Sequence, residues 1–230
     1  VDYATYYEPA ANTACLTFSE EQAGYLAGYA AVMGGYRKLG YSGGGGGTNP
    51  ACNRFGYGFV QGAEAAAAET GAPVAIKYAY GNQFYGDADI TAVMDTWYAG
   101  GTEVVFACGG GIYTSAAEAA QKTGGKVIGV DVDQSNQSDA VVTSAMKGLA
   151  QSVMVALDNF YTNGLQSGSL VLGAADDAVG LPVDTWSLAN WSVDEYNALF
   201  EQIKSGEIVV DNSEVADPST AGLEHVTFVK

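Results

Sequence analysis

The chain has 230 residues, of which 48% are apolar, so its composition is that of a folded protein and not of a disordered segment. It carries 26 acidic and 9 basic residues, and the formal net charge of −17 opposes binding to nucleic acid or to an anionic membrane surface. The longest apolar runs are shorter than the roughly 18 residues that a membrane-spanning helix needs.

The predicted elements alternate between strand and helix from the start of the chain. A short strand at 14–18 leads into a helix at 20–33, and Ser19 with Gln22, three residues apart, predicts a capping box at the helix start. The same alternation then continues along the chain. The later elements are predicted as strand 39–42, a helix from about residue 53, strand 74–80, helix 88–98, strand 104–107, helix 113–121, strand 126–131, strand 140–144, helix 146–161, strands 170–172 and 178–181, helix 193–204 and strand 226–229.

Four of these strands and the three helices between them fall within 39–131. This order predicts a parallel, doubly wound α/β unit with right-handed crossovers, which forms one complete lobe. The segments before and after it contain too few elements to build a second core of their own. The sequence therefore predicts an α/β protein with one complete lobe and one incomplete lobe.

The unbroken apolar run at 127–130 ends at two carboxylates, Asp131 and Asp133. A fully apolar strand is typical of a sheet that is covered on both faces, and ligands of such sheets bind outside the carboxyl ends of the strands. We therefore expect Asp131 to accept hydrogen bonds from ligand hydroxyls and Asp133 to act as a cap or turn residue. A calcium site is not indicated, because no loop of alternating oxygen ligands surrounds the pair.

Two glycine-rich segments follow predicted strands. The run at 43–47 could bind a phosphate or could be a mobile loop, but the Lys of a P-loop is absent and Asn49-Pro50 interrupts a dinucleotide-binding pattern. The glycines at 109–111 would let a ligand approach the main-chain amides, although glycine serves an ordinary tight turn equally well.

Three side chains near predicted element ends are further candidates. Phe84, with Tyr85 beside it, is expected to stack on a ligand ring, the alternative being a core residue that anchors its loop. Arg54 could donate to a ligand or form a surface ion pair. Lys147 is expected at the amino end of a helix, where the helix dipole disfavours it, so a carboxylate such as Asp131 or a ligand oxygen is expected nearby.

Hydrolytic and metal chemistry are poorly supported by the sequence. His225 is the single histidine, no Gly-x-Ser-x-Gly elbow is present, and no His/Cys cluster could hold zinc. Of the three cysteines, Cys15 and Cys108 lie in strand-like runs and are expected to be buried thiols. We expect no catalytic residue, no metal site and no cofactor.

Four segments, taken together, resemble a known family. The stretches 18–28, 53–59, 127–134 and 143–147 are similar, in this order, to motifs of the basic membrane protein (BMP) family. These proteins are the substrate-binding lipoproteins of ABC transporters, typified by purine nucleoside receptors. The resemblance runs from about 16 to 212 and implies a type I periplasmic-binding-protein fold, in which two α/β lobes close on a ligand.

The resemblance also implies roles for particular residues. Phe84 matches the aromatic residue that stacks on the base, Asp131 and Lys147 match the residues that hold the ribose hydroxyls, and Gly110 matches a backbone contact. The ligand-binding positions implied in this way are Asn53, Arg54, Phe84, Gly110, Asp131 and Lys147. The first two match a motif near the cleft.

The same resemblance implies an organisation, a location and partners. Family members carry roughly another hundred residues, on the scale of a lobe, before the motif at 18–28. The implied division is a partial lobe one at 1–37, lobe two at 38–145, a return helix at 146–168, and crossing strands, a lobe-two helix and a tail at 169–230. The implied protein is a bacterial receptor on the outer face of the cell membrane, lipid-anchored in its precursor, with a purine nucleoside and a membrane permease as partners.

Other interpretations stay open. Riboflavin or a sugar could be the ligand on the same fold. A Rossmann-like nucleotide-dependent enzyme is disfavoured by the missing third glycine and by the lack of a catalytic histidine. The effector domain of a regulator would require a DNA-binding head, which the acidic charge disfavours.

Overall fold

The computed structural model describes residues 8–81 and 83–230. Residues 1–7, which belong to the predicted first domain, lie outside this description. The strands are β1 (Ala14–Phe18), β2 (Lys38–Gly43), β3 (Val74–Tyr80), β4 (Val104–Cys108), β5 (Lys126–Asp131), β6 (Val141–Lys147), β7 (Gly168–Leu172), β8 (Val179–Gly180) and β9 (Val226–Phe228). The helices are α1 (Glu20–Met33), α2 (Pro50–Thr70), α3 (Ala88–Ala99), α4 (Tyr113–Thr123), α5 (Leu149–Asn163) and α6 (Val193–Lys204).

A seven-stranded sheet in the order β8-β6-β5-β4-β2-β3-β9 forms the centre of the molecule. Strands β2 to β6 are parallel to one another, β9 adds in parallel to β3, and β8 pairs antiparallel with β6. The predicted parallel unit over 39–131 is therefore confirmed, with helix α2, α3 or α4 between each pair of successive strands from β2 to β5.

The sheet is covered on both faces. Along β4, Phe106 belongs to the apolar core that contains α1 and α2, while Val105 and Ala107 belong to a separate core with α3 and α4. Successive side chains of a strand point to opposite faces, so both halves of the apolar run find a core. This explains why β4 and β5 lack the alternation of a half-exposed strand.

Helices α1 and α2 pack backbone to backbone through four glycines. A Cβ added at Gly24 or Gly28 would lie 2.2 or 2.0 Å from a carbonyl oxygen of α2, and one added at Gly58 or Gly62 would lie 2.1 or 1.9 Å from a carbonyl oxygen of α1. At these glycines α1 therefore contacts α2 at backbone distance. The helix that the predicted division places in lobe one thus lies beside α2 of the large unit.

Two local predictions at element ends are wrong. The Ser19 side chain makes no capping hydrogen bond at α1, the Ser19 amide donates to the Leu172 carbonyl, and Gln22 Oε1 accepts from the Ala174 amide at 2.8 Å. Lys147 is the last residue of β6 and not the first turn of a helix; it lies just before Gly148, the N-cap of α5.

A second, two-stranded parallel sheet consists of β1 and β7. Beside it, α5 carries apolar side chains at helical spacing that are each close to half exposed, namely Leu149, Val153, Leu157 and Phe160. Within the described chain, Ser152 is the buried residue of α5. The apolar side of α5 therefore has little cover from the described residues.

The segment after α6 runs back across α2. Gln61 exchanges two hydrogen bonds with the backbone of Asp211, both 2.9 Å long. The Glu64 carboxylate accepts from the amides of Glu224, His225 and Val226 at 2.8–3.0 Å and so positions β9 at the sheet edge. In the part of the chain that the structure describes, no helix has the length and apolar character needed to cross a membrane.

Candidate ligand-binding site

The carboxyl ends of five parallel strands, β2 to β6, meet at one edge of the large sheet, which we call the carboxyl edge. In an open parallel sheet this is the edge outside which ligands bind. The residues at the carboxyl edge are the glycine run 44–47, the loop 81–87 (described except for residue 82), the glycine turn 109–111, Asp131 and Lys147. The candidate residues predicted from separate parts of the sequence thus follow neighbouring strands.

Asp131 is the last residue of β5 and has a φ of 67°, in the left-handed region that non-glycine residues seldom adopt. Its side chain is 41% exposed, and its Oδ1 lies 3.5 Å from Lys147 Nζ. The expected nearness of these two residues is therefore confirmed. Because the chain turns sharply here, Asp131 holds an accessible carboxylate at the rim of the sheet.

Asp133 has the turn role that was expected for it. Its Oδ1 accepts from the Ser135 amide at 2.9 Å and its Oδ2 accepts from Thr185 Oγ1 at 2.8 Å. Partial burial raises the pKa of Asp133, but these hydrogen bonds outweigh that effect and hold the pKa below its usual value. Its oxygens are occupied by the turn, whereas the Asp131 carboxylate remains partly open.

Lys147 is buried, with 6% of its side chain exposed, between two carboxylates. Its ammonium lies 3.3 Å from Glu20 Oε1 and also lies over the rings of Phe18 and Phe55, at 5.7 and 5.3 Å from their centroids. A buried ammonium needs such partners to remain charged. The surroundings therefore fix the position of the cation next to Asp131.

Glu20 connects this pair to Arg54. Its Oε2 lies 2.8 Å from Arg54 Nε and 2.7 Å from Nη2, and Arg54 Nη1 contacts Glu214 Oε1 at 2.9 Å. The Glu20 side chain is fully buried and that of Arg54 is 15% exposed. Acidic and basic side chains thus alternate from the carboxyl edge to the tail, in the order Asp131, Lys147, Glu20, Arg54, Glu214. We call this set the ion-pair network.

Asn53 anchors the first glycine segment from below. Its Nδ2 donates to the Gly47 carbonyl at 3.0 Å, and its buried Oδ1 has no hydrogen-bond partner among the residues that the structure describes. The segment Gly45–Gly47 forms a short 3-10 turn in which all three residues have positive φ. Such a backbone favours glycine, which accounts for the composition of the run.

Phe84 lies over this glycine turn. A Cβ added at Gly44 would lie 2.7 Å from Phe84 Cδ1, so the ring rests directly on bare backbone. Even so, Phe84 is 45% exposed. Its carbonyl accepts from the Gly111 amide at 2.9 Å, which joins the loop to the second glycine turn. The aromatic residue is therefore both fixed and accessible.

Gly110 has a φ of 54°, and its carbonyl accepts from Gln134 Nε2 at 3.2 Å. Gln134 is buried, and its Oε1 also accepts from the Val130 amide at 3.1 Å. The second glycine turn is thereby linked to the end of β5, next to Asp131. The carboxyl edge is held as one unit by backbone and side-chain hydrogen bonds.

Comparison with known proteins identifies the group to which this arrangement belongs. The model of a protein family described as "ABC transporter substrate-binding protein PnrA-like" (Bmp) matches residues 2–214. The chain belongs to this family. The resemblance found in the four sequence motifs is confirmed, and the family's role is substrate binding for ABC transporters.

Solved structures of other proteins agree with the fold. A solute-binding protein of an ABC transporter system from Aeropyrum pernix K1 has a TM-score of 0.73 at 19% identity, over 90% of this chain and 69% of that chain. A second one, from Conexibacter woesei DSM 14684, has a TM-score of 0.69 at 21% identity, over 89% of this chain and 67% of that chain. A transcriptional activator of the comK gene from Bacillus halodurans has a TM-score of 0.65 at 20% identity, over 84% of this chain and 64% of that chain. Among curated proteins, none matches the chain significantly.

These likenesses confirm the predicted periplasmic-binding-protein-like α/β fold. Within it, the structure brings Asp131 and Lys147 into contact and joins Arg54 to them through Glu20. Phe84 lies beside the glycine turn that contains Gly110, because its carbonyl accepts from the Gly111 amide at the same edge. For Arg54, the ion-pair alternative is what the structure shows, although the pair is mostly buried and not on the surface.

Sequence reasoning missed Glu20 as a part of this candidate site. An acidic residue in the first turn of a helix is favoured by the helix dipole, so Glu20 looked like an ordinary helix start. Its position inside the motif at 18–28 was the signal that could have drawn attention to it. The partners that reveal its role, Arg54 and Lys147, are far away in sequence.

Sequence reasoning also missed a cavity of about 330 Å³ beside the ion-pair network. The residues around it include Phe18, Glu21, Arg54, Val171 and Glu214. Burial raises the pKa of the Glu21 carboxyl to about 7, and hydrogen bonds to backbone and to Ser19 only partly offset this. The cavity lies where β1, β7 and the tail approach α1 and α2.

Proposed function

We propose that this chain is the solute-binding component of an ABC importer and that its ligand is a nucleoside, bound at the carboxyl edge. The observation that carries the proposal is the pairing of Asp131 with Lys147. A partly exposed carboxylate and a buried, fixed ammonium lie side by side at the rim of a parallel sheet. An exposed aromatic ring, Phe84, lies on the same edge.

The ribose would be held by the charged pair. Ionised Asp131 is an acceptor without a proton to donate, which suits two neighbouring hydroxyls of a sugar. Lys147 would donate to a ribose oxygen while Glu20, on its other side, keeps the ammonium in place. Hydrogen bonds to charged groups contribute about 1.5–3 kcal/mol each, so this pair can supply a substantial part of the affinity.

The base would stack on Phe84. The ring is supported from below by the backbone of Gly44 and is partly open to solvent, which is the arrangement that a flat ligand needs. Gly110 lets a ligand approach the backbone, because any side chain at this position would meet a strained φ and the Phe84 carbonyl at 3.1 Å. Asn53 would act by holding the glycine turn beneath Phe84.

Arg54 takes an indirect part in this proposal. Its guanidinium is engaged by Glu20 and Glu214, so it orients Glu20, which in turn positions Lys147. The proposed order of action runs from Arg54 through Glu20 and Lys147 to the ligand. This differs from a direct donor role, which was one of the two alternatives for Arg54.

A second lobe would supply the facing wall of the cleft. The division into a partial lobe one (1–37), lobe two (38–145), a return helix (146–168) and crossing strands with a tail (169–230) remains a prediction. It is supported by the half-exposed apolar residues of α5, which would pack against further lobe-one structure. Ligand binding would favour the closed arrangement of the lobes, which the membrane permease would recognise.

The proposed location is the outer face of the cell membrane, with a lipid anchor in the precursor. We propose no catalytic step, because the carboxyl edge contains charges and an aromatic ring suited to binding, and the family binds substrates for transport. A nucleotide-dependent enzyme is thereby disfavoured. Riboflavin or a sugar remains the second candidate ligand, since Asp131 and Lys147 would accept any ligand rich in hydroxyls.

A thermal-shift screen against nucleosides, riboflavin, free ribose and other sugars tests the proposal. Any ligand that binds the native state and not the unfolded chain raises Tm in a concentration-dependent manner. We expect purine nucleosides to give the largest shift and free ribose a smaller one. A shift with riboflavin or a sugar, together with none for any nucleoside, would assign the site to the second candidate.

A further inference from the structure

Two free cysteines, Cys52 and Cys108, lie against each other at the carboxyl edge. Cys52 is 5% and Cys108 is 1% exposed, and the Cys52 thiol donates to the Cys108 carbonyl at 3.7 Å. They come from segments far apart in sequence, the first turn of α2 and the last residue of β4. Neither has a part in the proposed binding of the nucleoside.

The fold fixes both residues. The Cys52 amide donates to Asn49 Oδ1 at 3.0 Å, and its carbonyl accepts from the buried Tyr41 hydroxyl at 2.6 Å. The Cys108 carbonyl accepts from the Gly44 amide at 2.9 Å. Hydrogen bonds to the backbone of both residues thus hold them in rigid elements, with the Cys52 sulfur next to the backbone of Cys108.

The two thiols have unlike surroundings. A hydrogen bond with Cys108 lowers the pKa of Cys52, burial opposes this, and the backbone of Gly44 and the charge of Lys147 lower it further. Burial holds the pKa of Cys108 well above its usual value. Cys52 is therefore the more readily ionised of the two thiols, as expected for an attacking cysteine beside a resolving one.

We propose that a hydroperoxide oxidises Cys52 and Cys108 to an intramolecular disulfide. The Cys52 thiolate attacks one oxygen of hydrogen peroxide, the O–O bond breaks, and a sulfenic acid forms with release of hydroxide. The Cys108 sulfur then attacks the Cys52 sulfur and displaces the hydroxyl group, which leaves with the Cys108 proton as one water. The hydroxide from the first step takes up the proton that Cys52 lost on ionisation and becomes the second water. In total, two thiols and one peroxide give one disulfide and two waters.

The bond would connect two segments of the carboxyl edge. Cys52 immediately precedes Asn53 and Arg54, and Cys108 immediately precedes the glycine turn 109–111. The crosslink would close a long loop that runs from α2 through β4. It would therefore restrict the unfolded chain and raise the Tm of the oxidised protein above that of the reduced protein.

Peptide mapping of the wild-type protein tests the proposal. The reduced protein is treated with a small excess of hydrogen peroxide, remaining thiols are alkylated, and the protein is digested without reductant for mass spectrometry. We expect a linked pair of peptides that contain Cys52 and Cys108 and that together lack two hydrogens. A map in which these cysteines are alkylated, or overoxidised without a crosslink, would overturn the proposal.

Two variants sharpen the result. Cys15→Ser removes the third cysteine, which is partly exposed on β1, and should leave the crosslink unchanged. Cys108→Ser removes the resolving thiol, so the sulfenic acid on Cys52 should persist and be trapped by dimedone. Disulfide-linked dimers through Cys15 in place of the internal bond would also contradict the proposal.

Discussion

Lys147 and Glu20 form a buried ion pair between the end of β6 and the first turn of α1, with 3.3 Å between Nζ and Oε1. Glu20 is fully buried and Lys147 is 6% exposed, so neither charge is stabilised by bulk water. Each depends on the other and on its further partner, Arg54 for the carboxylate and Asp131 for the ammonium. The stability of the fold and the geometry of the candidate site thus share one set of contacts.

Glu20→Gln should destabilise the protein by about 3 kcal/mol, because it leaves the buried Lys147 and Arg54 without the carboxylate that they share. Urea unfolding followed by tryptophan fluorescence measures the change. Glu118→Gln is the matched control, since Glu118 forms an exposed pair with Lys122 on α4. We expect little change for the control, and equal effects of the two substitutions would show that the buried contact has no special weight.

Phe84→Ala should weaken nucleoside binding by about 1–3 kcal/mol, the range observed for loss of base–aromatic stacking. The affinity for free ribose should change much less, because the sugar would be held by Asp131 and Lys147. Calorimetric titrations with a nucleoside and with ribose measure both effects. An equal loss for the two ligands would mean that Phe84 supports the loop and does not stack on the base.

Gly58→Ala should destabilise the protein by about 1–3 kcal/mol or more, since the added Cβ would lie 2.1 Å from the Glu21 carbonyl oxygen. In an ordinary helix the same change stabilises by about 1 kcal/mol, so the sign of the effect is diagnostic. Ala68→Gly, on the exposed side of α2, measures the ordinary difference between Ala and Gly in this helix and should destabilise the protein by about 1 kcal/mol. A stabilising Gly58→Ala would refute the close approach of α1 and α2.

Glu21 should make folding stability depend on pH between about 4.5 and 7, because burial raises its pKa from 4.5 to about 7. In this range the folded state binds more protons at Glu21 than the unfolded state does, so its contribution becomes less favourable as the pH rises. The destabilisation that results from ionised Glu21 in the folded state is fully present above pH 7 and amounts to roughly 3 kcal/mol.

The difference between wild type and Glu21→Gln isolates this effect from other carboxylates. The contribution of Glu64 to the pH dependence of stability has the opposite sign, because hydrogen bonds with His225 and with three amides outweigh its burial and lower its pKa. We expect Glu21→Gln to gain stability relative to wild type on going from pH 5 to pH 8, as measured by urea unfolding. A difference that does not change with pH would show that Glu21 titrates normally.

Much of the fold could be predicted because local pattern and tertiary structure agree. From β2 to β5, apolar runs and helical periodicity give element bounds within a few residues of those observed. Asp131, Phe84 and Gly110 were each predicted near the end of a strand. The carboxyl ends of parallel strands coincide by topology, so the sheet order alone accounts for their common edge.

The sequence-based predictions fail where contacts with distant residues override the local pattern. Lys147 was assigned to a helix because helical periodicity continues into α5, but pairing of β6 with β5 and β8 extends the strand to this residue. Gln22 could cap α1, yet the Ala174 amide takes its oxygen. Glu20 was missed because its two cationic partners become neighbours only in the folded chain.

Calorimetric titration of Asp131→Ala with a purine nucleoside, next to wild type and the exposed control Asp139→Ala, tests the central claim most directly. If Asp131 holds the ribose, its loss should weaken binding by about 1–3 kcal/mol, while the control binds as wild type does. An unchanged affinity of Asp131→Ala would contradict the account, because the Asp131–Lys147 pair would then have no part in ligand binding.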